Sequence, residues 1–267
     1  MCKVFGVSTS AFYDWERRPL GPDFPLVRQA IRAVQIESDR TYGYRRMLPE
    51  LRSNGHGCGK KLIRRLMREE RLQGRLKRTR PYGKSKTAEV LAVPNVLDRQ
   101  FVVEAPNQVW ASDITYIRTR AGWVYLAVIL DLYARVVVGW SVSNNPDTLL
   151  VLDALTMAVK QRRPGREVMM HTDQGCQYTA KAWRVRLELL GFKLSMSRRG
   201  ECWDNAPIES WNGILKRESR VVTTLQDDAE SVRGLLFRWI HGWYNTRRRH
   251  SSNGYASPAE YERKWAA

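Results

Sequence analysis

Nothing constrains the fold of this chain more than the three β-rich segments that follow one another from Val109 to Val142. Residues 109–117, 123–130 and 135–142 are rich in Val, Ile, Tyr and Trp, interrupted only at Gly122 and at Asp131-Leu132-Tyr133-Ala134. That pattern predicts three strands joined by tight turns. A helix is expected over 147–162, a short buried strand over 168–171, a helix over 180–190 and a fifth strand over 193–196. A helix over 205–219 and a last amphipathic helix over about 227–245 complete the series. The order β-β-β-α-β-α-β-α predicts an α/β fold, a mixed five-stranded sheet with helices on its faces.

The chain ahead of this body has a different composition. Residues 1–100 hold 22 Lys and Arg against 10 Asp and Glu, a net +12 of the chain's total +18. Between Lys60 and Lys86 there are twelve basic residues and only two acids, Glu69 and Glu70. Three helices are expected here, over 27–38, 43–53 and 60–72, the second ending at Asn54-Gly55 and the third before Gly74. On the third, Leu62, Ile63, Leu66 and Met67 share one arc, and Lys61, Arg64, Arg65 and Arg68 the opposite one. A small all-α unit with an arginine-rich final helix fits helix-turn-helix DNA binding, whereas a solvated charged face is the plainer alternative. Upstream, Val4-Phe5-Gly6-Val7-Ser8 resembles the turn of another helix-turn-helix, with Ser8 as N-cap of a helix through Trp15. The expected organisation is a partial helix-turn-helix at 1–20, a basic DNA-binding domain at 21–80, a Pro/Gly/Lys linker at 81–100, and a catalytic body at 101–267.

The charge suits a polyanionic partner. No apolar run approaches the roughly 18 residues of a spanning helix, and the first ten residues lack a signal-peptide pattern. Cys2, Cys58, Cys176 and Cys202 form no C-x-x-C pair, which fits neither a disulfide framework nor a zinc site and is consistent with a reducing cytosol.

Three acids stand out by position. Asp113 interrupts the first strand, Asp173 lies just past the fourth, and Glu209 opens the late helix. An acid inside a strand of β-branched and aromatic residues is costly without a partner or a metal, and ligands bind beyond strand ends in α/β sheets. On the late helix Glu209, Asn212 and Lys216 share a stripe, so Glu209 can face the sheet edge. Three clustered carboxylates repel one another unless divalent cations neutralise them. Mg²⁺, with Mn²⁺ as a substitute, fits, and two such ions serve phosphoryl transfer. Singly, each acid reads better as a separate turn or cap residue. Asp131 fits a hairpin turn, Glu201 and Asp204 a mobile loop or cap, and His171 either a supporting group at the site or a structural hydrogen bond.

Asp113 and Asp173 are separated by 59 residues, and Asp173 and Glu209 by 35. This spacing resembles the D-D-35-E signature of retroviral-integrase-like transposases on a ribonuclease H-like fold. The surrounding words are Trp110-x-x-Asp113-Ile114-Thr115-Tyr116, His171-Thr172-Asp173-Gln174-Gly175-x-Gln177-Tyr178, Asp204-Asn205-Ala206-x-x-Glu209-Ser210, Leu215-Lys216 and Tyr244-Asn245-x-x-Arg248-x-His250. Together with Thr41-Tyr42-Gly43-Tyr44-Arg45-Arg46 and Arg64-Arg65-Leu66-Met67, they are similar to the second reading-frame product of IS-three-family insertion sequences over nearly the whole chain. The resemblance implies a catalytic and metal-binding triad of Asp113, Asp173 and Glu209, with Lys216 contacting terminal DNA. Arg45, Arg46, Lys61, Arg64, Arg65 and Arg68 are the expected DNA contacts of the basic domain.

Implied further are cleavage at inverted-repeat ends, transfer of the freed 3′-hydroxyl into target DNA, and a synaptic complex of at least two copies. A frameshift fusion to an upstream product would explain the cut-off motif at the N-terminus, and a bacterial cytoplasmic, nucleoid-associated location follows. No nucleotide cofactor and no covalent protein–DNA intermediate are expected. Thr172, Gln174 and Cys176 depart from the common pattern, where the family often has Ser, Arg and Ser. A DNA-binding regulator without activity is the competing class, although all three acids and Lys216 are present. A viral-type integrase would need a His-His-Cys-Cys zinc module that His56, His171, His241 and His250 with four scattered cysteines do not supply.

Overall fold

The computed structural model describes residues 2, 6–17, 24–75 and 93–266. The chain divides into two compact units, Met1–Gly74 and Arg75–Ala267.

In the first unit, α1 (Thr9–Arg17) starts as expected at Ser8, whose Oγ accepts from the Ala11 N–H at 3.1 Å. Three further helices, α2 (Pro25–Glu37), α3 (Tyr44–Ser53) and α4 (Lys60–Glu69), bury a small core of Ile31, Val34, Met47, Leu51, Ile63, Leu66 and Met67. The apolar arc of α4 is the one anticipated, except that Leu62 is only partly covered. The helix is shorter than 60–72 because Arg71 adopts a left-handed φ of 53° and the Leu72 N–H turns back to the Met67 carbonyl at 2.8 Å. Glu69 and Glu70, at its C-terminal end, pair with Arg28 and Arg32 of α2 and tie the two helices together.

The second unit is built on one sheet. β1 (Val109–Thr119), β2 (Gly122–Asp131) and β3 (Val136–Ser143) form an antiparallel meander. β4 (Met169–Thr172) and β5 (Lys193–Met196) add parallel strands to the other side of β1, giving the order β3-β2-β1-β4-β5. Every residue from Leu126 to Asp131 is buried, because helices cover both faces of the central strands and strand alternation is lost there. One face carries α5 (Thr148–Arg162), the short α6 (Cys176–Thr179) and α7 (Lys181–Leu190), around Leu155, Trp110 and Trp183. The other carries α8 (Ala206–Glu218), α9 (Arg220–Thr223) and α10 (Ala229–Trp239), around Trp211, Leu215 and Leu236. This is the ribonuclease H-like arrangement.

Gly139 shows how closely α5 lies on β3. A Cβ there would stand 2.3 Å from the Ala154 carbonyl oxygen and 2.7 Å from the Ala158 Cβ.

Three sequence expectations are modified. The last amphipathic helix breaks after Trp239 into a π-helical turn, Ile240–Tyr244, with the Asn245 N–H reaching the Ile240 carbonyl at 2.9 Å. The extra residue swings Asn245 onto β3, where its side chain binds both the N–H and the carbonyl of Val137. A further helix, α11 (Pro258–Ala266), was not anticipated. Of the linker expected at 81–100, residues 81–92 lie outside the described residues. The remainder packs on the core instead: Leu97 is buried, and the Val96 and Leu97 N–H groups donate to Ser195 Oγ at 3.0 and 3.1 Å.

Candidate active site and nucleic-acid interface

Strand alternation places Ala111, Asp113 and Ile117 on the α8-facing side of β1, with Ala111 and Ile117 in that face's core. Asp113 is the half-buried polar member of the row. β4 pairs with β1 in parallel up to Ala111 beside His171. Asp113 stands two residues further along β1, and Asp173 two residues beyond His171, just past the end of β4. The Gly175 N–H donates to Asp173 Oδ1 at 3.0 Å, and a Cβ on Gly175 would crowd that same oxygen. Glu209 lies in the first turn of α8, where the helix dipole favours an acid, and its side chain is exposed. One turn along, Asn212 donates through Nδ2 to Asp113 Oδ2 at 2.7 Å, while the Ile114 N–H donates to Asp113 Oδ1 at 2.8 Å.

Electrostatics link the three acids. The Asp113 carboxyl is pushed up to about 8, first by burial and then by the Asp173 charge, with Glu209 adding and the Ile114 N–H and Lys216 opposing. Desolvation raises Asp173, although its side chain reaches solvent, and the Gly175 N–H moderates the rise. Glu209 is raised by desolvation and then by Asp173. Lys216 is exposed on α8. An all-oxygen donor set that repels itself fits a hard divalent cation. Among the described residues, however, no three His, Cys, Asp or Glu side chains are gathered tightly enough to enclose one.

The neighbouring acids behave differently. Asp131 does serve the turn after β2, accepting from the Tyr133 N–H at 2.9 Å, but it is fully buried and faces Arg162 at 3.6 Å. Asp204 belongs to no mobile loop. It is fully buried and receives Arg198 Nε at 2.9 Å and Arg99 Nε at 2.6 Å, which hold its carboxyl far below the ordinary range. Glu201 is an exposed partner of Arg99 at 2.7 Å.

His171 is structural. Its Nδ1 lies 2.9 Å from Ser195 Oγ and its Nε2 3.2 Å from Ser197 Oγ, joining β4 to β5 and its extension. Because Ser195 Oγ already accepts two backbone N–H groups, its proton points to Nδ1 and the ring hydrogen sits on Nε2. Burial lowers the imidazole to about 4, so it stays neutral.

Of the unusual residues near Asp173, Gln174 donates to the Ser197 carbonyl at 3.0 Å and Thr172 to the Asp173 carbonyl at 2.9 Å, while Cys176 is exposed. Asn212 was visible on the Glu209 stripe, but its bond to Asp113, 99 residues away, was not.

On the first unit, Arg45, Lys61, Arg64 and Arg68 are exposed. Arg46 is half-buried over the Tyr42 ring at 5.6 Å. Arg65 departs from the expected open face: it lies 5.9 Å over Phe24 and 3.5 Å from Glu69.

Comparison with known proteins gives two kinds of match. Integrase core domain models match residues 103–202 and 190–258, and an HTH-like domain model matches residues 25–80. The chain is 38% identical over 268 residues to the insertion element IS600 uncharacterized 31 kDa protein of Shigella sonnei, covering 99% of this chain and 98% of that one. It is 36% identical over 269 residues to transposase InsF for insertion sequence IS3A of Escherichia coli, covering 99% and 93%. Among solved structures, the HTLV-2 integrase catalytic core domain in complex with magnesium superposes with a TM-score of 0.46 at 16% identity, covering 59% of this chain and 97% of that one.

Proposed function

This chain belongs to the DDE-type transposases of IS3-family insertion sequences, and on that premise we propose that Asp113, Asp173 and Glu209 are the centre at which it cuts element ends and joins them to target DNA. The observation that carries the proposal is positional: Asp113 on β1 and Asp173 just past the adjacent parallel β4 stand at the same level, α8 with Glu209 is tied to Asp113 through Asn212, and the Asp113 carboxyl is pushed up to about 8, first by burial and then by the Asp173 charge. Carboxylates that raise one another on neighbouring elements are a cost to a fold without a compensating cation. A metal-dependent phosphoryl-transfer site needs them.

Cleavage is an in-line displacement. Water forms a bond to an end phosphorus, the P–O3′ bond breaks, and a 3′-hydroxyl and a 5′-phosphate result. In transfer, that 3′-hydroxyl bonds to a target phosphorus and displaces the target's own 3′-oxygen, so phosphodiester bonds are conserved and no nucleotide is consumed. Asp113, Asp173 and Glu209 would hold two Mg²⁺ ions, or Mn²⁺ in their place, which would supply positive charge for the displacement. Asn212 steadies Asp113 through its N–H, and Asp173 is fixed by the Gly175 N–H. Lys216, two turns beyond Glu209 and exposed, is positioned to meet a phosphate of the DNA end.

The basic first unit supplies binding to the terminal repeats. Processing two ends together calls for at least two copies in a synaptic complex, with an upstream reading-frame product as a further partner. No helix among the described residues is long and apolar enough to cross a membrane, and action on bacterial DNA points to the cytoplasm.

The test uses labelled duplex DNA carrying the sequence flanking the gene, with Mg²⁺ or Mn²⁺. Wild type is expected to nick and join, and Glu209→Gln to bind without chemistry. Full activity in Glu209→Gln removes it from the centre. Binding without cleavage by wild type, repeated with the upstream-fused protein, favours a regulator.

A further inference from the structure

A cavity of about 330 Å³ lies beside the start of α8, at the small end of the range of small-molecule sites. Five of its lining residues, Ala206, Pro207, Ser210, Trp211 and Ile214, belong to that helix. At about 3.6 residues per turn they fall on the flank roughly opposite the stripe of Glu209, Asn212 and Lys216, so the cavity is separate from the three acids. Phe101, Leu130 and Tyr244 complete its apolar wall, and the exposed Ser251 and Ser252 leave it open to solvent.

Two residues of this wall carry buried N–H groups without a partner. Trp211 is fully buried, packed edge-on against Trp239 and Tyr244, and its Nε1–H meets no acceptor among the described residues. Arg135, in the turn between β2 and β3, donates from Nη2 to the Phe101 carbonyl at 3.0 Å, while its Nη1 is buried and unbonded. Among the described residues no acid lines the cavity and Arg135 has no ion pair. Asp131, in the same turn, is engaged by Arg162 and by the Asn107 and Tyr133 N–H groups. Burial accordingly draws the Arg135 guanidinium below its ordinary range, with Tyr244 and Asp131 opposing.

A half-buried guanidinium without a counter-charge is a cost to the fold. Water filling the cavity can satisfy an indole N–H, but it brings no charge. An anion does both. The apolar wall narrows which anion: a phosphate would leave its remaining oxygens against Phe101, Leu130 and Tyr244 without donors, whereas a carboxylate carried on an apolar body matches a cation at one point and hydrocarbon around it.

We propose that this cavity binds a small organic carboxylate, the carboxylate pairing with Arg135 and the apolar body packing against Leu130, Trp211 and Tyr244. The Trp211 N–H is the second donor on the same wall. The occupant needs neither a metal nor DNA, so the site can fail without the proposed chemistry failing, and the reverse.

Binding of phenylacetate and hexanoate to the full chain, measured by ligand-observed NMR and by thermal unfolding, tests the site. The comparison ligands are phenylacetamide, which lacks the charge, and acetate, which lacks the apolar body. Both apolar carboxylates should bind saturably and raise the melting temperature, and both comparison ligands should bind at least about tenfold more weakly. Arg135→Gly is the decisive variant. Arg135 has a φ of 59°, which glycine adopts without steric cost, so the turn keeps its shape and the melting temperature of the free protein holds. The cation is gone, and affinity for the carboxylates should fall at least about tenfold. Lys160→Gln removes the same charge from the exposed side of α5 and should bind as wild type does.

Equal binding of phenylacetate and phenylacetamide, wild-type affinity in Arg135→Gly, or no saturable binding of either apolar carboxylate overturns the proposal. If Arg135→Gly does not fold, the comparison of acid with amide on the wild type decides alone. If inorganic phosphate binds through Arg135 and the carboxylates do not, the cavity takes another class of anion and the carboxylate assignment fails.

Discussion

Replacing Asp113 by Asn should stabilise the metal-free protein, and the gain should depend on pH. The unfolded carboxyl ionises near 3.8, whereas the folded one holds its proton until about 8. Below about pH 3 both states are protonated and Asp113 contributes no pH-dependent penalty. As pH rises, the unfolded state ionises first and the folded state is progressively disfavoured, fully so above about pH 8. A separation of roughly four units at about 1.4 kcal/mol each sets a ceiling near 6 kcal/mol. Because the side chain is half-buried and reached by water and counterions, about 2–4 kcal/mol is the expected penalty.

Asn fits the site. It can still accept from the Ile114 N–H, and its amide can donate to Asn212 Oδ1, a buried oxygen with no partner among the described residues, once the Asn212 amide turns over. Denaturant unfolding in EDTA, followed by tryptophan fluorescence, is a suitable assay because nine of the ten tryptophans lie beyond residue 100. Asp113→Asn should match wild type at about pH 3 and exceed it by about 2–4 kcal/mol at about pH 8.5. Millimolar Mg²⁺ should raise only the wild type and close the gap. A difference that is the same at both pH values, or wild type the more stable at high pH, refutes the reasoning.

Other consequences are simpler. Gly139→Ala forces β3 and α5 apart, since its Cβ would overlap the Ala154 carbonyl, and should cost about 1–3 kcal/mol or more in the same unfolding assay. The buried pair of Arg248 and Glu218, bidentate at 2.7 and 2.8 Å, ties the segment after the π-turn to the end of α8. Glu218→Ala should lose about 3–5 kcal/mol, and an apolar replacement of both partners should recover much of it. On the first unit, Arg65→Gln should leave the salt slope of DNA binding unchanged and cost under about 1 kcal/mol, because its guanidinium is engaged with Phe24 and Glu69. A slope reduced by about one would return Arg65 to the DNA interface.

Much of the fold was legible because it depends on local periodicity. β5 falls at Lys193–Met196 as expected, and β1, β2, α5 and α8 fall within two residues of expectation, because strand and helix periods and turn residues are local signals. The three acids were legible for a different reason. Asp113 stood out as an acid within an apolar strand, whereas Asp173 past a strand end and Glu209 at a helix start stood out by position and by the words and spacing of the resemblance.

Tertiary structure decided what depends on distant partners. Asp204 looked like a loop acid until Arg99, 105 residues earlier, was found beside it. Arg65 looked as open as Arg64, yet its guanidinium is engaged with Phe24 and Glu69. Residues 94–97 read as linker because they follow the Pro81–Lys86 stretch and open on Pro94, yet Ser195 offers the Val96 and Leu97 N–H groups a partner. Asn212 became a member of the site only when α8 was laid against β1. The chain order by itself determined which segments can be strands and helices and where charge is out of place. Which charges are neutralised, and which wait for DNA or a metal, was fixed only by folding, since burial and hydrogen-bond partners are properties of space and not of sequence separation.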